Sequence, residues 1–517
     1  MNIHSNNSRN YVVLNKLLNK IELFLIKSID DDFEYPRLHL SNRISQLIAS
    51  LIAVDFSVQS ISSAKKNGKY FFQLLPVNLI CNNIKINTKT GKVKPSLQLL
   101  MFNIIQFLFL WFYVLFSFFV SILFSPRAIG RASLIYGVPN DLGNDNSLIE
   151  FEKYCLITNN KIISNSNAYV VQFNKRINSK RKNIFVYTRI PVLSLFLSNK
   201  TIYHEKILFL KKHFYILFNF LYLGITNPIT SLLWKDFALH SCVESLNKRN
   251  LIQSNILTST NTSSQDLWMN FLPNKSFKTY FALYSQNSFN FVFNDDPVDT
   301  INIGHKYLKA DLIWIWNDEY KLSLARNGVN CKTKVIEPVL WREFNKSSKF
   351  KNNNIIKISI FDVTPFDDKF LLGIGSESSY YNTNTMSKFL DDIVSAVKLI
   401  TYSDNIKFEL TLKHKRKRYN SHDQSYFDHI DRLKISNSFF NFIDHDVNLF
   451  NFINESHMVI AIPYSSPVIL AQTLKIPSFY YDPGNQIVFP DEYFPESIIK
   501  VSRLDDLVNK IREKLPL

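Results

Sequence analysis

Apolar and polar positions divide the chain into stretches of different character. From Leu97 to Phe124 no residue is charged, and Leu, Phe, Ile, Trp and Tyr dominate (LQLLMFNIIQFLFLWFYVLFSFFVSILF). A helix of ~20 apolar residues spans a bilayer, so this run is long enough. Its polar residues are ordered: Asn103, Gln106, Tyr113, Ser117 and Ser121 share one narrow face at ~100° per residue. That stripe predicts a helix packed on protein along one side, with the rest of its surface toward lipid. Lys85, Lys89, Lys92 and Lys94 precede the run, and Arg127 and Arg131 follow it. A single pass is basic on one side only, so the flanks favour a monotopic or re-entrant insertion. A second stretch, Lys206 to Ile225, mixes Lys206, Lys211, Lys212 and His213 with aromatics and reads as a membrane-surface helix.

Residues 1–96 are mainly helical in pattern, with a strand-like part near Tyr70–Ile84. Beyond Arg131 strands and helices alternate. LIYGV (134–138), YVVQF (169–173), NIFVYT (183–188), FNFVFN (289–294), DLIWIW (311–316) and KVIEPVLW (334–341) read as strands. The polar stretch Arg342–Asn354 has no apolar periodicity and predicts a linker. After it, IIKISIFDV (355–363), KFELTLK (407–413), MVIAIP (458–463) and PSFYYD (477–482) are strands. They alternate with helices over 386–400, 450–454, 467–474 and 504–515. Such alternation implies parallel, doubly wound sheets. The expected division is a helical region 1–96, an apolar helix 97–126, a first Rossmann-like domain 127–341, a linker 342–354 and a second Rossmann-like domain 355–517.

Composition narrows the class. Hydrophobic residues at 46% and charged residues at 20% exclude a disordered chain. Four scattered cysteines suggest neither a disulfide framework nor a zinc site. The opening MNIHSNNSRN has no apolar h-region, so no secretory signal is expected. A net charge of +17 implies anionic partners: nucleic acid, anionic lipid or a phosphorylated substrate. The aromatics concentrate in apolar runs instead of alternating with basic residues, which argues against nucleic acid.

In parallel sheets ligands bind at the carboxyl ends of strands, and three strand ends of the second unit carry chemistry. One is FDVTP (361–365), where polar residues follow an apolar strand. Another is LTLKHKRKR (410–418), which delivers Lys413, His414, Lys415 and Arg416 in a block, either as an anion site or as a solvated face. The third is IAIPYSSPVILA (460–471), which places Ser465 and Ser466 at a helix start with Pro467 in the first turn. Free N–H groups and the helix dipole make such a start an anion site, although one serine would serve equally as an ordinary cap. Further on, Tyr481 and Asp482 end a strand within YYDPG (480–484). They suit a sugar or ribose hydroxyl, or simply a surface turn. His457, beside a strand, reads as structural. The chain has no G-x-G-x-x-G, P-loop, G-x-S-x-G or H-E-x-x-H motif, and no D-x-D for a divalent ion. Hydride transfer, ATP hydrolysis, serine hydrolysis and zinc proteolysis lose weight accordingly.

Taken together, FDVTP, KHKR and IPYSSPVILAQTLKIPSFYYDPGN resemble the polysaccharide biosynthesis family named for a PFTS motif. ITNPITSLLW (225–234), LYSQNS (283–288) and WIWNDEYKLSLARNGV (314–329) resemble that family's first domain. Tyr464–Ser465–Ser466 stands where the family motif has Phe-Thr-Ser, and His414 stands where Pro is expected. The resemblance implies a GT-B-like glycosyltransferase of bacterial surface polysaccharide (capsule or O-antigen) at the cytoplasmic face of the inner membrane. Its basic strand end and Ser-Ser helix start are similar to the donor sites of bacterial sialyltransferases and Kdo transferases. That implies a CMP-linked nonulosonate or Kdo-like sugar as donor, a glycan or lipid-linked glycan as acceptor, and no cofactor or metal. The expected reaction is an inverting transfer, with Lys413, His414, Arg416, Ser465, Ser466, Tyr481 and Asp482 holding the donor. Asp295 and Asp296, which follow the FNFVFN strand, are the candidates to deprotonate the acceptor, in competition with Asp236 and His240. The alternatives are a non-catalytic membrane-associated assembly protein and a GT-B-fold sugar-nucleotide epimerase.

Overall fold

The structure, a computed structural model, describes residues 92–123, 131–136, 167–171, 184–187, 191–197, 203–258, 265–272, 274–283, 292–294, 308–336, 355–365, 380–415, 422–445, 447–488 and 498–515. It also describes 78–80, 84–87 and the single positions 44, 47 and 305. The expected linker Arg342–Asn354 lies outside these residues. Most of residues 1–77, where helix was expected, lie outside the described residues, and the strand Asn78–Ile80 falls within the strand-like part expected near Tyr70–Ile84. Strands β1 (Asn78–Ile80), β2 (Ile84–Asn87) and β3 (Lys92–Pro95) form a small antiparallel sheet just ahead of the apolar helix.

Two larger parallel sheets carry the α/β alternation, the two-sheet architecture of the GT-B-like class expected from the sequence. The first is built from β4 (Ala132–Tyr136), β5 (Asn167–Val171), β6 (Ile184–Tyr187), β7 (Ile252–Thr258), β8 (Lys278–Ala282), β10 (Leu312–Ile315) and β11 (Thr333–Val335). Its order is β11-β10-β8-β7-β4-β5-β6, and a two-residue strand, β9 (Val292–Phe293), stands outside it. The second contains β12 (Ile355–Phe361), β13 (Lys407–Lys413), β14 (Phe440–Ile443), β15 (Met458–Ala461), β16 (Ser478–Tyr481) and β18 (Ile499–Val501), in the order β14-β13-β12-β15-β16-β18. Short β17 (Ile487–Val488) leaves this sheet and pairs antiparallel with β9. Central strands such as β15, buried at all four positions, show the unbroken apolar run of a sheet covered on both faces.

Helix α1 (Leu97–Leu123) is one continuous helix. It is followed by α2 (Pro191–Leu197), α3 (Tyr203–Thr226), α4 (Trp234–Lys248), α5 (Leu267–Phe271) and α6 (Glu319–Arg326). Asn103, Ser117 and Ser121 of α1 are buried, so the polar stripe faces the protein. Asn103 Nδ2 donates to Ser231 Oγ at 3.3 Å, and Trp111 Nε1 donates to the His213 carbonyl at 2.9 Å. Helices α1 and α3 both lie on α4, which is buried along most of its length. Their outward faces are apolar: Phe102, Phe109, Phe112 and Phe116 on α1, with Leu208, Phe218, Tyr222 and Ile225 on α3, are exposed.

The second sheet is covered by α7 (Thr383–Asp404), α8 (Gln424–Ser436), α9 (Leu449–Asn454), α10 (Ser466–Thr473) and α11 (Leu504–Glu513). Their starts are capped where the sequence supplies a short polar side chain. Asn382 accepts from the Thr385 N–H, Asp423 from Ser425 and Asn448 from Phe450, each at 2.9 Å. Helix α7 ends at Asn405, which takes the left-handed conformation (φ 52°) tolerated by asparagine. One continuous cluster of buried side chains takes in residues of both sheets, among them Phe281 and Ile313 of the first and Ile360, Leu412 and Ile460 of the second, together with Tyr320 of α6.

Candidate functional site

Strands β13, β12 and β15 lie side by side and end together, because Phe361 is in register with Lys413 on one side and Ala461 on the other. Beyond that line come Asp362–Pro365, His414–Lys415 and the turn Ile462–Ser465, so the three strand ends picked out by sequence share one edge. The Ile462 N–H donates to the Phe361 carbonyl at 3.0 Å, which extends the β12–β15 pairing to the first residue past β15.

The turn into α10 is unusual in one respect. Tyr464 has a φ of 61° and its ring is buried. A tyrosine in the left-handed region is strained by roughly 1–2 kcal/mol, so tertiary packing holds it there. Its reversal lets Ser465 and Ser466 start α10 directly over the edge. Ser465 is the N-cap residue but does not cap through its side chain: its Oγ donates to the Ile462 carbonyl at 2.7 Å. Its own carbonyl accepts the Tyr480 hydroxyl at 2.6 Å. Ser466 opens the helix and is half-buried.

The basic block divides. The Lys413 side chain is buried, and its ammonium donates to the His445 carbonyl at 2.7 Å, a contact that ties the ends of β13 and β14 together. The His414 ring lies 5.3 Å from Phe442 and 5.9 Å from Phe427, between centroids, and its Nδ1 has no partner. Lys415 is exposed and Arg416 lies outside the described residues.

Beside them is an acid that the sequence reading left unassigned. Asp362 is buried, at 3% exposure, and its Oδ2 accepts the Tyr426 hydroxyl of α8 at 2.6 Å. Its Oδ1 has no partner, and neither does the buried hydroxyl of Thr364. Burial pushes the Asp362 carboxyl above the usual range, against the opposing pull of the Tyr426 hydrogen bond and the charges of His414 and Lys415.

Tyr481 and Asp482 do not join this edge as ligand-binding groups. The Tyr481 hydroxyl donates to Asp392 of α7 at 2.6 Å. Asp482 is fully buried; its Oδ1 accepts the Tyr380 hydroxyl at 2.8 Å and its Oδ2 accepts the Ile487 N–H at 2.9 Å. The reason is strand alternation: Tyr480 points to α10 and Tyr481 to α7, with both faces covered by helix. His457 is structural as expected, its Nδ1 accepting the Lys357 N–H at 3.0 Å.

On the first domain, Asp295 and Asp296 lie outside the described residues. They directly follow Asn294, whose N–H donates to the Gln486 carbonyl at 3.0 Å, beyond the β9–β17 pair. Asp236 accepts the Leu267 N–H and so fixes the start of α5, while His240 is buried 3.8 Å from Glu244. Neither stands open to a substrate at this edge. Among the described residues no three His, Cys, Asp or Glu side chains come together as a metal site.

The sequence profile of the polysaccharide biosynthesis PFTS motif proteins matches residues 208–510, more than half of the chain. The chain belongs to the PFTS polysaccharide biosynthesis family. The match takes in Pro463–Tyr464–Ser465–Ser466, the strained turn from β15 into α10 that resembles the name motif. The matched region starts within α3 and takes in the whole second sheet. No curated protein sequence is a significant match. Among solved structures, a glycosyltransferase from Rickettsia africae is similar at 14% identity, with 74% of this chain and 88% of that one covered and a TM-score of 0.38. The UDP-GlcNAc 2-epimerase of Methanocaldococcus jannaschii is similar at 12% identity, covering 75% and 93%, with a TM-score of 0.37.

Proposed function

We propose that this member of the PFTS family is a glycosyltransferase that takes a sugar from a nucleotide-linked donor bound at the carboxyl edge of the second sheet. The carrying observation is the register that brings the end of β13, the polar residues after β12 and the start of α10 to one line. A helix start at the same sheet edge as the basic residues His414 and Lys415 suits a phosphate. The donor is a CMP-linked sugar of the nonulosonate or Kdo-like class, whose carboxylate adds a second anion for the same basic end. Transfer is inverting and needs no metal: the donor edge stabilises the departing nucleotide, and Asp295 or Asp296 deprotonates the acceptor hydroxyl of a glycan or lipid-linked glycan. The exposed apolar faces of α1 and α3 seat the enzyme on the cytoplasmic face of the membrane, where a surface polysaccharide such as capsule or O-antigen is assembled.

The test is thermal unfolding of the full-length protein in detergent with CMP, UDP and a panel of their sugars, followed by transfer assays with the stabilising donor. CMP and its sugars are expected to raise the melting temperature by mass action, and Ser466→Ala to weaken that effect modestly, since the helix N–H groups remain. Stabilisation by UDP-sugars alone would overturn the CMP assignment. No stabilisation by any nucleotide would overturn the donor site itself.

A further inference from the structure

Helices α1 and α3 are antiparallel: Phe118 stacks on Phe209, Trp111 on His213 and Phe107 on Phe220, with ring centroids 3.9 to 4.4 Å apart. Every exposed residue of α1 from Met101 to Leu123 is apolar. A protein interface carries about one hydrogen bond per 100–200 Å², and this stripe, about 33 Å long, offers no side chain to make one. Hydrocarbon is the surface it fits. The two ends of the helix pair differ. Charge on α3 is confined to Glu205, Lys206, Lys211 and Lys212, and from His213 to Thr226 there is none. That uncharged end lies beside the start of α1, where Leu97, Met101, Tyr222 and Ile225 are all exposed. Strand β3, which contains Lys92 and Lys94, leads into α1 at the same end, and lysine next to an apolar surface suits phosphate headgroups.

The same end lies level with the ligand edge of the first sheet. Helix α4 hands over to β7 at the amino end of that strand: the Leu251 N–H donates to the Leu246 carbonyl at 2.9 Å, and the Leu251 carbonyl accepts the Ala132 N–H at 2.8 Å. Helix α4 therefore runs against the strands. With 15 residues it is about 22 Å long, the reach of the seven-residue β7, so Trp234 at its start stands at the carboxyl edge. The 3₁₀ turn Pro228–Leu233 joins α3 to that start, and Asn103 of α1 donates to Ser231 within the turn at 3.3 Å. The uncharged end of the pair and the edge at which parallel sheets take ligands thus lie at one end of the first domain. The second domain has no comparable face: among its described residues the exposed large apolar side chains are Leu399, Tyr402, Ile435 and Val447.

We infer that Leu97, Met101, Tyr222 and Ile225 form a docking site for the lipid of a lipid-linked acceptor, whose glycan reaches the carboxyl edge of the first sheet while its lipid stays in the bilayer. This rests on the membrane-seated transferase proposed above and narrows its acceptor to one that arrives along the membrane. The water-soluble donor is taken by the domain that has no membrane face.

The experiment uses the full-length protein in phospholipid vesicles, with the donor that stabilises it against unfolding. The acceptor is the glycolipid fraction of cells lacking this protein, supplied intact or hydrolysed to free the glycan from its lipid. Wild type is expected to show a kcat/KM at least about tenfold higher for the intact glycolipid, because enzyme and acceptor held on one surface meet at a raised effective concentration. The triple variant Leu97→Gln, Tyr222→Gln, Ile225→Gln is expected to lose that preference through KM. It should still float with vesicles, since Phe109, Phe116 and Phe218 remain, and melting temperature is recorded beside it. If the triple variant leaves the vesicles or fails to fold, Ile225→Gln alone carries the test. Equal kcat/KM for intact and freed glycan in wild type would overturn the docking site and leave the transferase standing. A vesicle-bound variant that keeps the full preference overturns it too. A dimer of wild type in detergent that the variant breaks up would assign this end to a second copy of the chain, again overturning it. Transfer to neither form, from a donor that binds, brings down the transferase reading and the docking site with it.

Discussion

His213 is fully buried where α1, α3 and α4 meet, stacked on Trp111 with ring centroids 4.4 Å apart. Its Nδ1 is 2.7 Å from Ser241 Oγ and its Nε2 is 3.1 Å from the Trp111 carbonyl. Burial lowers its pKa to about 4, against a weaker upward pull from that carbonyl. An unfolded histidine titrates near 6.5, so between these values the unfolded chain binds more protons than the folded one. Stability is therefore full above about pH 6.5 and is lost as pH falls toward 4, by roughly 2 kcal/mol at pH 5. Thermal unfolding in detergent at pH 7.5 and 5.0 checks this: His213→Gln should lose less on acidification than wild type, and equal losses would refute it. Single side chains were also where the sequence misled. The place of Ser465 and Ser466 at the start of α10 was readable, because a strand end, a proline and an apolar run together mark a helix start. Asp362 was not, because its burial depends on Tyr426 of α8, a helix whose polar-rich face hid it. Tyr481 and Asp482 were misassigned, since a strand-ending carboxylate looks the same whether it meets a sugar or closes its own loop.

Helices α1 and α3 were legible from patterning, and the structure adds their relation. The α1 stripe of Asn103, Ser117 and Ser121 is covered by protein from end to end, so α1 lies along the body instead of standing out from it. Phe109 at 71% exposure and Ile225 at 80% mark an outward face that water would not favour. Lys211, exposed among the apolar positions of α3, can snorkel to a headgroup, which fits a helix lying at the interface. Replacing Phe109, Phe116 and Phe218 together by Lys should move the protein from the membrane fraction to the soluble one with its fold intact. Trp111→Ala, on the inner face, should instead destabilise it by about 3–5 kcal/mol. Retention of the triple variant on membranes at high salt would rule out this face as the anchor. The elements missed by sequence reading are of another kind. Strand β7 runs Ile-Gln-Ser-Asn-Ile-Leu-Thr, with Ser254 and Asn255 fully buried and Ser254 Oγ donating to Ser133 Oγ at 2.8 Å. A central strand with polar groups facing the core breaks the apolar run by which buried strands are found, and β8 is only five residues long.

At the scale of the whole molecule, Asp482 does for the two domains what the sequence reading assigned to a sugar. Its carboxylate holds the Ile487 N–H at 2.9 Å and thereby shapes the loop that carries β17 out to β9 of the first domain. Asn294 extends that clasp to the Gln486 carbonyl, and the two candidate acids Asp295 and Asp296 come next in the chain. The transfer proposed above needs its donor edge on one sheet and its acceptor base on the other held in register, so on that proposal the clasp bears on rate more than on nucleotide binding. Asp482→Ala removes the acceptor of two buried donors, the Tyr380 hydroxyl and the Ile487 N–H, at a cost of about 2–5 kcal/mol. Hydrogen exchange should accelerate at Ile487–Val488 and, across the pair, at Val292–Phe293, while the strands β12, β13 and β15 stay protected. Nucleotide affinity should hold within about threefold as the rate of sugar transfer falls more than tenfold. If exchange rises along β12 as well, Asp482 supports the second sheet itself; if it does not change at β9, the two domains are held together by their shared apolar core and not by this strand pair.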